Sequence, residues 1–141
     1  MSSSASFDTA FLEAALRDVF AEWVRMLELR LIDARPGEVV LALPVTARHI
    51  HAGNVMSGQT LMAAADTAMV LAVMSKLGVF RPMTTVQLQT TCLRPVAADA
   101  GAATVTASVL RIGKSLAFGE IRITTGDNVL AAHSTTTYAL L

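Results

Sequence analysis

The chain has 141 residues, the size of one ordinary domain built around a single core. Its 11 Lys and Arg residues balance 11 Asp and Glu residues, so no net charge attracts it to nucleic acid or to an anionic membrane surface. Hydrophobic residues make up 53% of the sequence, a high share for a small monomer, and this favours a buried interface between subunits.

The N-terminal residues and the single cysteine indicate the compartment. Residues 1–6 form a Ser-rich tail that we expect to be disordered, ahead of a single domain at residues 7–141. The tail lacks the basic start and the apolar run of a signal peptide. Cys92 has no partner for an internal disulfide, and its place in an apolar strand predicts a small core residue in a reducing compartment. We therefore expect a cytoplasmic protein.

The first third of the chain alternates between helical and strand patterns. Residues 8–28 carry apolar side chains at helical spacing, which predicts an amphipathic helix on the surface. A short strand at residues 29–32 and a longer one at residues 38–45 follow, separated by a turn at Pro36-Gly37. A polar loop at residues 46–56 then leads into the next helix. The apolar positions of the N-terminal helix are Leu12, Leu16, Val19, Phe20, Trp23 and Leu27.

The segment from Ser57 to Gly78 is the centre of the predicted fold. It is apolar on every face, so a helix here has to be buried. Ser57 is a good N-cap, and Gly78 is well placed to end the helix. Asp66 is the one ionisable residue between Gln59 and Ser75, and a buried carboxylate is costly unless it is paired or protonated. Asp66 also interrupts the apolar runs, which argues against a membrane span.

The remaining segments have the pattern of β-strands. Strands are predicted at residues 84–93, 103–111, 116–125 and 129–140. Tight hairpin turns at residues 112–114 and 126–128 separate the last three. In the first of these strands, the side chains expected to share one face are Val86, Leu88, Thr90 and Cys92. The order of elements implies an α+β fold in which a curled antiparallel sheet wraps around one long helix.

Three pieces of sequence carry a resemblance to a known family. They are Ser57-Gly58-Gln59 at the helix start, the run from Leu61 to Thr67 that contains Asp66, and Leu93-Arg94-Pro95 at a strand end. Over about residues 51–141 the chain resembles the hotdog-fold acyl-CoA thioesterases, in the branch of the phenylacetate-pathway and 4-hydroxybenzoyl-CoA thioesterases. The resemblance implies a hotdog fold and hydrolysis of an acyl-CoA to a free acid and CoA, with no separate cofactor.

The resemblance also assigns roles to residues. In the family, a Gly at the helix start presents its N–H to the thioester carbonyl, eight residues before a catalytic carboxylate, and Gly58 and Asp66 have that spacing. The family carboxylate acts as nucleophile or as base for water. His51 stands fifteen residues before Asp66, where the family has an Asn or Gln that positions the reacting groups. The commoner His-Gly-Gly is Ser57-Gly58-Gln59 here, and Val70 replaces an assisting Thr of the 4-hydroxybenzoyl branch.

The spacing of Gly58 and Asp66 predicts a homodimer. Eight residues of α-helix span about 12 Å, so the two groups of one helix cannot both reach the same carbonyl. Two antiparallel helices across a two-fold axis would bring the start of one to the middle of the other. Such a dimer, alone or paired into a tetramer, would contain two identical composite sites.

The expected chemistry follows from these two groups. A helix N-terminus carries free N–H groups and a partial positive charge, which suits the oxyanion formed when a thioester carbonyl is attacked. A partly desolvated Asp66 would attack the carbonyl to form a mixed anhydride, or would deprotonate a water that attacks. The sequence leaves both routes open. His51 would hold that water or the carboxylate.

Further residues are candidates for contacting the substrate. Arg111 and Lys114, near a hairpin tip, are candidates for contacting CoA phosphates, although isolated cations at turns are usually solvated. Flexible Met side chains suit an adaptable acyl pocket, although core packing explains them as well. His49 and His133 are interpreted as structural, and the three His with one Cys show no metal-ligand spacing. The substrate-binding candidates are Ser57, Gln59, Asn54, Met69, Val70, Arg111 and Lys114.

Two other functions fit the same residues. Hotdog dehydratases and hydratases of 3-hydroxyacyl or enoyl thioesters pair a loop His with a helix carboxylate, as His51 and Asp66 would. Residues 52–57 lack the Pro that is usual in those enzymes, and the interval from Gly58 to Asp66 favours hydrolysis. A non-catalytic acyl-thioester binding module is the other alternative, and a buried carboxylate argues against it. The acyl group stays open between short to medium aliphatic and aryl chains.

Overall fold

The computed structural model describes residues 8–126 and 128–141, so the tail expected at residues 1–6 lies outside the described part. Two short helices precede a β-hairpin, a long helix and four further strands. The elements are α1 (Ala10–Asp18), α2 (Glu22–Arg25), β1 (Arg30–Arg35), β2 (Glu38–Pro44), α3 (Gly58–Leu77), β3 (Met83–Cys92), β4 (Ala102–Ile112), β5 (Leu116–Thr125) and β6 (Val129–Leu140).

The six strands form one antiparallel sheet in the order β1-β2-β4-β5-β6-β3, which curls around α3. Alternate side chains of β2 point into the core, where Val39, Leu41 and Leu43 are fully buried. The strand period read from the sequence is therefore correct in β2. The predicted α+β architecture, an antiparallel sheet around one long helix, is confirmed.

The long helix α3 begins and ends where its sequence predicts. The Ser57 hydroxyl accepts a hydrogen bond from the Thr60 N–H at 3.2 Å, which satisfies one free donor of the first turn. Gly78 ends the helix with a φ of 78°, a conformation that glycine adopts without strain. By length and composition α3 could cross a membrane, but 72% of its apolar stretch is buried inside the fold, as in the core helix of a globular domain.

The N-terminal segment is helical, as predicted, but it is not one continuous helix. The chain is extended at Ala21, with a ψ of 151°, and this ends the first helix and starts a second. The break turns the chain so that both α1 and α2 pack on α3. Trp23, predicted on the apolar face, is consequently 61% exposed, whereas Leu12 and Leu27 are buried. We call residues 10–27 the N-terminal arm.

The described strands β1, β3, β4 and β6 each contain a bulge. The bulges in β1, β3 and β4 each leave one apolar residue in solvent, and these residues are Ile32, Val86 and Leu110, at 58%, 60% and 61% exposure. In β3, Thr85 pairs with Tyr138 and Gln87 with Thr137, so Val86 is the extra residue. The expectation that Val86 shares a face with Leu88 and Thr90 is therefore wrong. Thr85 points towards α3 instead, because the bulge shifts the alternation by one residue.

Cys92 is also placed differently from the prediction. It is exposed, not part of the core. It is the last residue of β3, an edge strand of the sheet, and its side chain borders an open cavity at the start of α3. An edge strand is covered by only one neighbour in the sheet, which explains why an apolar strand pattern overestimated burial here.

Candidate active site

Asp66 lies in the third turn of α3, on the side that faces β3 and β6. Its side chain is half-buried. The carboxylate oxygen Oδ1 accepts hydrogen bonds from the Thr85 hydroxyl, at 2.9 Å, and from the Tyr138 hydroxyl. Within the described residues no Lys, Arg or His forms an ion pair with Asp66. Two hydroxyl groups, not a cation, therefore compensate the buried charge.

Tyr138 supports Asp66 from β6. Its ring is 2% exposed, and its hydroxyl also lies 2.9 Å from the backbone carbonyl oxygen of Asp66. Burial, followed by the negative charge of Asp66 and the hydrogen bond to it, raises the pKa of the Tyr138 hydroxyl far above its ordinary value. The hydroxyl therefore stays protonated and acts as a hydrogen-bond donor at every ordinary pH.

The carboxylate opens into a cavity of about 320 Å³ that is lined by apolar side chains and by hydroxyl groups. Val19, Phe20 and Val24 of the N-terminal arm form one wall of it. Other lining residues come from α3, from the segment after it and from the start of β3, and these include Val70, Phe80 and Met83. Among the described residues that line the cavity, Asp66 is the only one with a charged side chain. The cavity can therefore hold an uncharged apolar group next to the carboxylate.

A second cavity, of about 300 Å³, lies at the start of α3. Gly58, Cys92 and Arg94 line it together with His51. The N–H groups of Gly58 and Gln59 find no acceptor within the described residues, as expected for the first turn of a helix. These two donors, at the positive end of the helix dipole, can stabilise an oxyanion.

The two cavities have no lining residue in common. Gly58 and Asp66 are eight residues apart on a regular helix, which separates them by about 12 Å along the axis. One chain therefore presents the acid and the amide donors at two different places.

Several of the other predicted site residues lie at the start of α3. His51 is exposed at the Gly58 cavity, where its Nδ1 accepts a hydrogen bond from the Gly53 N–H at 2.8 Å. Ser57 acts as the N-cap of α3, and its Oγ lies 2.8 Å from the Thr60 hydroxyl. Asn54 and Gln59 are exposed beside the same helix start, and Asn54 adopts a turn conformation with a φ of 66°.

Other candidates lie away from both cavities. Met69 is fully buried and packs against Gly119 of β5, where no space exists for a larger residue. Arg111 and Lys114 are exposed at the β4–β5 hairpin and line neither cavity.

Arg94 is the cation at the Gly58 cavity, and its guanidinium donates to the Leu130 carbonyl oxygen at 2.9 Å.

The two histidines interpreted as structural have local partners. His49 lies with its Nδ1 3.5 Å from the Thr60 hydroxyl and its Nε2 3.3 Å from the Met26 carbonyl oxygen. His133 lies 3.0 Å from a Glu120 carboxylate oxygen, between neighbouring strands β5 and β6. These contacts connect elements of the fold and lie outside both cavities.

Sequence reasoning did not identify Thr85, Tyr138 or Arg94 as site residues. Thr85 and Tyr138 belong to strands far apart in sequence, and only the pairing of β3 with β6 brings them to Asp66. One signal was present for Tyr138, since it is the only tyrosine of the chain and occurs in a strand of small residues. Arg94 belongs to the motif Leu93-Arg94-Pro95, and nothing in the sequence indicates that its guanidinium lies near Gly58.

Comparison with known proteins places the chain among enzymes. A family model described as the Thioesterase superfamily matches residues 47–132, more than half of the chain. A Thermoplasma volcanium protein named Putative esterase TV1331 is 33% identical over 106 residues, which cover 75% of this chain and 77% of that protein.

Solved structures share the fold. The E. coli PaaI protein from the phenylacetic acid degradation operon has a TM-score of 0.82 at 22% identity, covering 97% of this chain and 96% of that one. A Streptococcus pneumoniae hypothetical thioesterase with coenzyme A has a TM-score of 0.74 at 18% identity, covering 80% and 85%. These likenesses confirm the hotdog fold. The family match and the Thermoplasma relative show that the chain belongs to the thioesterase superfamily, and thus that it is a thioester hydrolase.

Proposed function

We propose that the protein hydrolyses an acyl-CoA to the free acid and CoA in composite sites between two subunits. Asp66 of one subunit is the nucleophile or general base, and the Gly58 N–H of the other is the oxyanion donor. The observation that carries the proposal is the position of Asp66 and Gly58 at two separate cavities of one chain. A partner chain that runs antiparallel along α3 joins one cavity of each type into a complete site.

The chemical step needs both halves. As the nucleophile or water attacks, negative charge develops on the carbonyl oxygen, and the free N–H groups at the start of α3 are already oriented to receive it. In the covalent route, Asp66 forms a mixed anhydride and CoA leaves as the thiolate, after which water cleaves the anhydride. In the other route, Asp66 takes a proton from the attacking water. Both routes consume one water and release the acid and CoA.

The two cavities support a division of the substrate. Among the described residues, the Asp66 cavity is lined by apolar side chains and hydroxyl groups without a cation, so it suits an uncharged aliphatic or aryl acyl group. The Gly58 cavity has Arg94 at its wall, and a guanidinium suits the phosphates of CoA. Coenzyme A in the Streptococcus pneumoniae structure is in keeping with this substrate class.

The exposed edge of the sheet supports association. β3 lies at the end of the strand order, and Val86 and Leu93 beside this edge are 60% and 50% exposed. An edge strand presents backbone N–H and C=O groups that a second copy can pair with, and the exposed Val86 and Leu93 add apolar contact area. A dimer and a pair of dimers are both compatible with this surface. The single exposed cysteine, Cys92, supports a reducing compartment such as the cytoplasm.

The first test is incubation of the protein with a panel of acyl-CoAs, with free thiol and hydration of enoyl-CoAs measured separately. Release of thiol is expected. Hydration without thiol release would support the dehydratase alternative, and saturable binding without either reaction would indicate a binding module. Each of these two results would contradict the proposed hydrolysis.

Mixed dimers test the composite site directly. Asp66→Asn and Gly58→Pro each remove one half of the site, and both variants are expected to be inactive alone. Co-expression with two affinity tags yields mixed dimers in which one of the two sites contains an intact Asp66 and an intact Gly58. Purified mixed dimers should recover about half of the wild-type activity. If the dimers form but stay inactive, the sites do not combine residues of two chains.

A further inference from the structure

We propose that Tyr138 is a positioning residue for the reaction. Its hydroxyl holds Oδ1 of Asp66, so that Oδ2 is the oxygen presented to the thioester or to the attacking water. This inference rests on the proposed function, because it assigns a role to Tyr138 within the same site.

The hydrogen bonds distinguish the two oxygens of the carboxylate. Thr85 and Tyr138 both donate to Oδ1, and within the described residues no group donates to Oδ2. An oxygen that accepts two hydrogen bonds has less free electron density for a proton or a carbonyl carbon than its neighbour. Oδ2 is therefore the reactive atom.

Tyr138 determines the orientation of Asp66 through two contacts. Its hydroxyl reaches the backbone carbonyl oxygen of Asp66 as well as Oδ1, so one group is placed relative to both the main chain and the side chain of Asp66. The single proton is donated to one of these acceptors at a time. The hydroxyl thus limits the rotation of the carboxylate about its first side-chain bond.

The position of Tyr138 is itself rigid. The ring is 2% exposed, and its backbone pairs with Ala117 of β5 on one side and Thr85 of β3 on the other. A tyrosine has only two rotatable side-chain bonds, so a buried ring between two paired strands holds its hydroxyl at a fixed place. Thr85, directly opposite on β3, also donates a hydrogen bond to Oδ1 of Asp66. It belongs to an edge strand, which has a neighbouring strand on one side only.

Tyr138 is suited to donate a hydrogen bond and unsuited to accept a proton. Burial and the charge of Asp66 raise its pKa, so the ionised form is absent under assay conditions. The residue therefore orients the carboxylate without exchanging a proton with the substrate.

The test compares Tyr138→Phe with a matched control on the same strand. The Phe variant keeps the ring and removes only the hydroxyl. We expect its kcat to fall about 10- to 100-fold while KM stays within about 2-fold, because orientation of the acid matters in the chemical step. The control is Thr136→Val, which removes another buried hydroxyl of β6, one that donates to the Gln87 carbonyl oxygen at 2.8 Å. It should lose stability but keep kcat.

A second variant separates orientation from general stability. Incorporation of 4-aminophenylalanine at position 138 keeps the ring and an N–H donor, and it should restore a substantial part of kcat. This variant also carries the test if Tyr138→Phe does not fold. A wild-type kcat in a folded Tyr138→Phe protein, an equal loss in Thr136→Val, or no recovery with the amino analogue would each overturn the inference. Failure of the proposed function would instead appear as an absence of thiol release by the wild-type protein.

Discussion

The first and third turns of α3 contribute to the proposed reaction by opposite means. At the first turn the proposed oxyanion donors are main-chain N–H groups, and Gly58 lines a cavity bordered by the loop before the helix. At the third turn the proposed acid is one side chain, held by hydroxyls from two strands and bordered by the N-terminal arm. The Gly58 cavity therefore depends on backbone geometry, whereas the Asp66 cavity depends on side chains from several elements.

The largest effect is expected at the third turn. Asp66→Asn keeps the shape and the acceptor oxygen for Thr85 and Tyr138, so the fold should survive. Loss of the nucleophile or base should lower kcat by about 100- to 10,000-fold. Steady-state thiol release and a thermal unfolding curve would measure both properties. Wild-type turnover in a folded variant would show that Asp66 is not the reacting acid.

At the first turn, the chemistry should depend on the N–H and not on the absence of a side chain. Gly58→Pro removes the N–H at a position where helices accept proline, and Ser57 before it is already extended with a ψ of 146°. It should lower kcat by about 100- to 1000-fold. Gly58→Ala is the matched control, because a Cβ there would lie 4.0 Å from the Cys92 Sγ, an ordinary contact. Equal losses in the two variants would assign Gly58 a packing role.

The arm that encloses the third turn should influence which acyl group is preferred. Phe20→Ala enlarges the Asp66 cavity, so the ratio of kcat/KM for long over short acyl-CoAs should rise roughly 10-fold. Trp23→Ala is the control, since Trp23 is 61% exposed and does not line that cavity. An unchanged preference in the Phe20 variant would place the acyl group elsewhere.

The smallest expected effect is the loss of stability in alkaline solution that the buried hydroxyl of Tyr138 causes. The folded state raises the pKa of this group above its ordinary value of about 10, so above that pH the unfolded chain loses a proton that the folded protein keeps. The free energy of unfolding should therefore fall by up to about 1.4 kcal/mol per pH unit in alkaline solution, and fall less in Tyr138→Phe.

The same property can be observed directly. Tyr138 is the only tyrosine in the chain, so tyrosinate absorbance reports on this group alone. We expect that absorbance to appear only as the protein unfolds at high pH. A normal titration in the folded protein would contradict the buried hydrogen-bonded hydroxyl.

Features encoded by local pattern could be predicted from the sequence. The caps Ser57 and Gly78 and the apolar segment between them predict both ends of α3, and Asp66 is predicted as a site residue because it is the carboxylate within that segment. The strand period predicted the hairpins of the last three strands within a residue or two. These properties depend on neighbours a few residues apart, which is the range over which patterns are informative.

Features that depend on distant residues could not be predicted. The break at Ala21 has no Gly or Pro to mark it, and it arises because both halves of the arm pack on α3. Likewise, the hydroxyls of Thr85 and Tyr138 reach Asp66 through a strand register that the sequence does not display. Met69 could not be separated from a pocket residue without knowing that Gly119 faces it.

The bulge at Val86 means that the spacing of residues along β3 does not by itself show which side chains face Asp66. Replacing Val86, whose side chain is in solvent, should be tolerated, and deleting it should leave Thr85 opposite Tyr138, because Gln87 already pairs with the neighbouring Thr137. A relative of the same fold that lacks this single residue can therefore still present a hydroxyl opposite the tyrosine. Alignments of this strand should therefore be judged by gap placement before residue conservation.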